Sequence, residues 1–116
     1  MSDNKIVNTV RSYSSGTVGR SLNAVGHHHF ILDSATLNEE ITSGDAFLAG
    51  ISSCGVNMVE ATARDTGVPL VRTEVTIDGV RTRQDPTFFE RIDVRFRLIG
   101  PSQQQANALV DNWQKR

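Results

Sequence analysis

One thiol is available to this chain. Cys54 is the only cysteine, set in Asp45-Ala-Phe-Leu-Ala-Gly-Ile-Ser-Ser-Cys54-Gly-Val-Asn-Met58, an apolar run that ends in small residues. The chemistry open to it is nucleophilic. A thiolate attacks an electrophilic oxygen, giving a sulfenic acid that a second thiol must clear. A free thiol titrates near 8.5 and is only a few per cent ionised at neutral pH, so making the ionised form dominant takes on the order of 2.7 kcal/mol. A helix N-terminus supplies typically 0.3 to 1 kcal/mol, and only within its first turn. Cys54 lies about ten residues into the helix described below, roughly 15 Å along the axis. A dipole at that distance is too weak, and a cation is required. The bland counterpart is a small core residue, because unpaired cysteines are among the most buried of all side chains.

Other residues invite chemistry and fall short of it. In the triplet His27-His28-His29 only His27 and His29 share a face of a strand, and Zn²⁺ takes three or four protein donors, so no metal site is expected. Arg91, Arg95 and Arg97 suggest a phosphate-binding strip, but Glu90 and Asp93 interrupt it and no aromatic platform is interleaved. A wet sheet face explains them. Phe88-Phe89, after Pro86, either packs over a substrate pocket or anchors a hairpin. No flavin- or nucleotide-binding motif is present, so no cofactor is expected.

The elements that must position Cys54 follow from periodicity and punctuation. Asn8 to Val25, broken by Gly16 and Gly19, suits short strands joined by tight turns, and His28 to Asp33 reads as a strand. Thr42 and Ser43 are both plausible helix N-caps, and Asp45 in the first turn suits the dipole. From about Gly44 to Thr66 the pattern is helical. Phe47, Ile51, Cys54, Met58 and Ala61 fall on one stripe widened by Leu48 and Val59, and Ser53, Asn57, Glu60 and Arg64 fall opposite. Gly67 and Pro69 should stop it. Leu70 to Ile77 reads as a strand, Asp78-Gly79 as a turn, and Gln84-Asp85-Pro86 as a further break. Ile92, Val94, Phe96 and Leu98 then alternate with Arg91, Asp93, Arg95 and Arg97, the signature of an antiparallel strand wet on one side. Gly100-Pro101 ends it. Ser102 with Gln105 forms a capping box, and Ala106, Leu109, Val110 and Trp113 recur at helical spacing towards Arg116.

At 116 residues, with 38% hydrophobic and 22% charged content, the sequence reads as one α+β domain with a modest core. A net charge of -1 gives no reason to expect nucleic acid or an anionic membrane as partner. The start, Met-Ser-Asp-Asn-Lys, lacks an apolar signal core, and one cysteine makes no intrachain disulfide. A reducing cytoplasm is the expected location.

From roughly Gly16 onwards the chain resembles the OsmC/Ohr family of organic hydroperoxide reductases. The residues that carry the resemblance are the Gly-His-His-His-Phe-Ile-Leu-Asp strand, the helix leading into Ala-Gly-Ile-Ser-Ser-Cys54, Gly-Val-Pro after it, a long hairpin and a C-terminal helix. The resemblance implies antiparallel sheets packed on a central Cys-bearing helix, and an intertwined homodimer with active sites at the subunit interface. It also implies Cys54 as the thiol that attacks an organic hydroperoxide, with electrons from an external dithiol. An arginine from the N-terminal strands, Arg20 with Arg11 in reserve, would stabilise the thiolate, and Asp45 would hold that arginine. Asp45 and Cys54 are half a turn out of phase and about 13 Å apart along the helix, so Asp45 acts through the arginine or from the partner subunit. A non-catalytic dimerisation or small-ligand-binding module, in which Cys54 only packs, is the alternative.

The sequence departs from the family where it stops, at Trp113-Gln-Lys-Arg116. A second cysteine and a closing strand would follow there. A shortened chain, a natural one-cysteine variant and a selenocysteine codon taken as a stop are the competing explanations. Exposed apolar faces on Leu109 and Trp113 would favour the first, since each costs roughly 25 cal/mol per Å².

Overall fold

The computed structural model describes residues 4–115. Residues 1–3 and 116 lie outside the described residues. Two compact units are present, residues 1–46 and 47–116, and the division falls in the first turn of a helix.

The first unit is a three-stranded antiparallel sheet of β1 (Arg11–Ser14), β2 (Arg20–Val25) and β3 (His28–Asp33), in the order β1-β2-β3. Gly26 takes a positive φ in the tight turn between β2 and β3, which sets the register from Val25 opposite His28 out to Arg20 opposite Asp33. Tyr13, Leu22 and Ile31 form one cross-strand row, and each remains exposed, at 46%, 42% and 39%. On the other face Asn23 is buried and fully satisfied. It accepts from the Ser12 hydroxyl at 2.6 Å and donates to the carbonyls of Ser21 and Phe30.

Helix α1 (Ser43–Thr66) starts on Thr42, whose Oγ1 accepts from the Asp45 amide at 3.1 Å, so Thr42 is the N-cap and Ser43 the first helical residue. It ends at Gly67, where φ is 73° and the Val68 amide donates back to the Ala63 carbonyl at 3.0 Å, the long closing bond of a Schellman motif.

In the second unit α1 meets β4 (Arg72–Val80), β5 (Arg91–Ile99) and α2 (Gln103–Gln114). Both halves of the capping box at Ser102 and Gln105 form. The core is small: among the described residues the buried hydrophobic side chains are Val59, Ala63 and Leu109, with Val68, Leu70, Phe96, Leu98 and Trp113 packed around them. Leu109 is only 4% exposed and Trp113 packs edge-on to Phe96, so both side chains have partners within the second unit.

Two further expectations change. The stripe through Phe47, Ile51, Cys54 and Met58 is not the one the chain buries. The buried seam runs through Gly55, Val59 and Ala63, one position further round, because small residues let the helix approach β5 and α2 closely. Asp78-Gly79 is strand rather than turn, pairing with Asp93 and Ile92. Gly79 stays in the ladder because its missing Cβ leaves room for the Phe89 ring and Leu48, which would otherwise clash. The reversal lies in residues 81–90, where Phe89 stacks on Phe47 and Phe88 stays exposed, so Phe89 anchors the hairpin.

The charged faces of β4 and β5 carry the pairs Arg95–Asp78, Arg97–Glu74 and Arg91–Asp93, all solvent-facing. The opposite face holds one defect: Thr73 Oγ1 is buried without a hydrogen-bond partner. Replacing it with an isosteric methyl removes an unsatisfied hydroxyl, so Thr73→Val is expected to raise stability by about 1 kcal/mol in urea denaturation.

Candidate functional site

Cys54 sits in the middle of α1, on its exposed side. Its neighbour Gly55 faces inwards and is buried. The helix thus holds the thiol at the boundary between the buried seam and the solvated stripe of Ser53, Asn57, Glu60 and Arg64, all exposed as the periodicity implies. Within this chain Cys54 lies outside the buried seam.

Arg20, in the first unit, has a defined environment. Its Nε donates to Asp33 Oδ1 at 2.8 Å and its Nη2 to Asp33 Oδ2 at 2.9 Å, a bidentate fork, and Nη2 also reaches Glu39 Oε1 at 2.9 Å. Asp33 Oδ2 further accepts the amides of Glu39 and Glu40 at 2.9 and 2.8 Å, which ties the loop after β3 to the strand end. The Asp33 side chain has no solvent exposure, whereas Glu39 is largely exposed. Nη1 of Arg20 makes no hydrogen bond among the described residues.

Two sequence assignments are altered by this geometry. The carboxylates on Arg20 are Asp33 and Glu39, not Asp45, whose amide is engaged in the helix cap. With one guanidinium between two carboxylates, the group carries a formal charge of -1. Arg20 therefore offers a thiolate little net attraction until a carboxylate leaves. Arg11, the reserve, lies over the Tyr13 ring at 5.2 Å and has no carboxylate partner among the described residues. The role of Asp33 could have been found from sequence: six pairs out from the Gly26-His27 turn, β2 and β3 bring Arg20 and Asp33 face to face.

The Arg20 fork, aided by the two loop amides, holds the Asp33 carboxyl well below the usual carboxylate range. A carboxylate depressed on folding contributes stability that is fully present above its unfolded pKa, near 3.9, and is lost as pH falls towards the folded value. Asp33→Asn is thus expected to lower the melting temperature at pH 7, with the gap to wild type narrowing as pH drops below about 4. A pH series of thermal melts checks it.

Among the described residues no cluster of three or more His, Cys, Asp or Glu side chains could hold a metal ion, and His27, His28 and His29 are all exposed. No helix among them is long and apolar enough to cross a membrane.

Residues 36–116 match the family model for OsmC-like proteins. No curated protein matches the sequence. Among solved structures, an OsmC-like protein from Mycoplasma pneumoniae is similar over 99% of this chain and 84% of its own, at 16% identity and a TM-score of 0.77. An organic hydroperoxide resistance protein OsmC from Legionella pneumophila is similar over 95% of this chain and 83% of its own, at 15% identity and a TM-score of 0.68. The organic hydroperoxide resistance protein OhrB of Bacillus subtilis is similar over 95% and 84%, at 15% identity and a TM-score of 0.62. At these identities the likeness is one of fold. With the family model spanning most of its length, from the loop after β3 to the end of α2, this α+β chain belongs to the OsmC-like protein family.

Proposed function

We propose that this chain reduces organic hydroperoxides at Cys54, as a homodimer that draws electrons from an external dithiol of a reducing cytoplasm. The Cys54 thiolate attacks the terminal peroxide oxygen. An S–O bond forms as the O–O bond breaks, leaving a sulfenic acid on Cys54 and an alkoxide that takes up a proton to become the alcohol. One thiol of the dithiol then displaces water to give a mixed disulfide, and its second thiol closes the dithiol's own disulfide and frees Cys54.

In this reading Arg20 stabilises the thiolate and the developing negative oxygen through its unengaged Nη1. Glu39, exposed, is the partner it exchanges, and buried Asp33 is the one it keeps. Asp45, which does not touch Arg20 within one chain, would act on the guanidinium from the partner subunit. The apolar row of Tyr13, Leu22 and Ile31, together with the thin core, supports a second copy covering what one chain leaves open.

The observation that carries the proposal is the thiol of Cys54, exposed on α1 of an OsmC-like chain and so open to a peroxide in one protomer. The test is one equivalent of tert-butyl hydroperoxide, a dimedone trap and intact mass. A single adduct on Cys54 and one equivalent of tert-butanol are expected. Unmodified Cys54 with the peroxide unconsumed would favour the non-catalytic binding module.

A further inference from the structure

We infer that Trp113 is a positioning residue for Cys54, acting through Gly55; the inference rests on the reactivity proposed for that thiol. Gly55 directly follows Cys54 and is buried against two rings. A Cβ at Gly55 would stand 3.0 and 3.3 Å from Phe96 Cζ and Cε2, and 3.7 Å from Trp113 Cε2. The rings hold each other edge-on, with centroids 5.0 Å apart and planes at 62°. The backbone of this turn therefore rests on an aromatic wedge, and the depth and rotation of the turn are set where the rings meet it. Cys54 Cα is 100° further round the helix, on the exposed side, so the wedge governs where the sulfur points.

The wedge is supported unevenly. Trp113 and Phe96 also line an open cleft of about 500 Å³ with Ile92, Val94, Val110 and Gln114. Cutting back the indole leaves Phe96 free to swing into that space, and the Gly55 turn loses the surface that fixes it. The rest of α2 stays attached, because Leu109 remains in the core and Asn112 Nδ2 donates to Thr62 Oγ1 at 3.3 Å. The loss is thus local to the Cys54 turn, where a misplacement on the order of 1 Å can cost up to about a hundredfold in rate.

The experiment measures the second-order oxidation of Cys54 by tert-butyl hydroperoxide in single turnover, with the pH profile of Cys54 alkylation by iodoacetamide, in wild type, Trp113→Ala, Trp113→Phe and Phe96→Leu. Thermal melts establish the temperature at which each is folded. Trp113→Ala is expected to lose about tenfold or more in oxidation rate and to displace the alkylation profile, Trp113→Phe to recover to within about twofold of wild type, and Phe96→Leu to fall between. A folded Trp113→Ala with wild-type rate and profile overturns the inference. Should that variant not fold, a Phe96→Leu protein indistinguishable from wild type overturns it equally. A wild type that reacts no faster than free cysteine instead removes the proposed function itself.

Discussion

Cys54→Ser is expected to abolish peroxide-dependent oxidation of the external dithiol, with a fall of about a thousandfold or more to the uncatalysed background. The size of the effect follows from the absence of a substitute. The sequence holds no second cysteine, and a serine hydroxyl neither ionises near neutral pH nor forms a stable oxidised intermediate. The change should leave the fold intact, since Cys54 is exposed and outside the Val59, Ala63 and Leu109 core. A coupled dithiol-oxidation assay with a melt of the same sample separates chemistry from folding.

Gly100→Ala should be the most damaging single methyl added to the second unit. Gly100 closes β5 at φ 117°, a conformation open in practice only to glycine, and a Cβ there would fall on the Pro69 carbonyl oxygen. Backbone strain of 1 to 3 kcal/mol adds to displacement of the Pro69–Val71 segment, whose Val71 amide donates to the Ile99 carbonyl at 2.8 Å. A total of roughly 3 kcal/mol corresponds to a melting temperature lower by about 15 °C. The control is Gly50→Ala in α1, where a Cβ meets nothing within 4 Å, so that helix propensity alone acts and stability rises by about 0.5 to 1 kcal/mol.

Much of the frame was legible because it is written locally. Thr42 and Gly67 bound α1, Ser102 and Gln105 start α2, and the alternation from Ile92 to Leu98 fixes which face of β5 is wet. What escaped depends on the third dimension. The apolar residues of α1 cover more than one stripe, and the stripe that is buried is chosen by Gly55, whose lack of a side chain admits Phe96 and Trp113. Periodicity weights side chains and gives a glycine no weight as a contact. Asp78-Gly79 looks like a turn for a related reason: its glycine serves the incoming Phe89 ring, not a reversal. The thiol and an arginine were readable as residue types. The partners of that arginine were not, since Glu39 reaches Arg20 only through a loop folded back on the buried Asp33 carboxylate.

The central claim is that Cys54 is a nucleophile tuned for organic peroxide. Its most direct measurement is the second-order rate of Cys54 thiol loss with an alkyl hydroperoxide at pH 7, set against free cysteine in the same buffer. Orientation of the peroxide against the sulfur, with a guanidinium N–H on the developing negative oxygen, predicts an advantage of more than about a hundredfold. A rate equal to that of free cysteine would contradict the account.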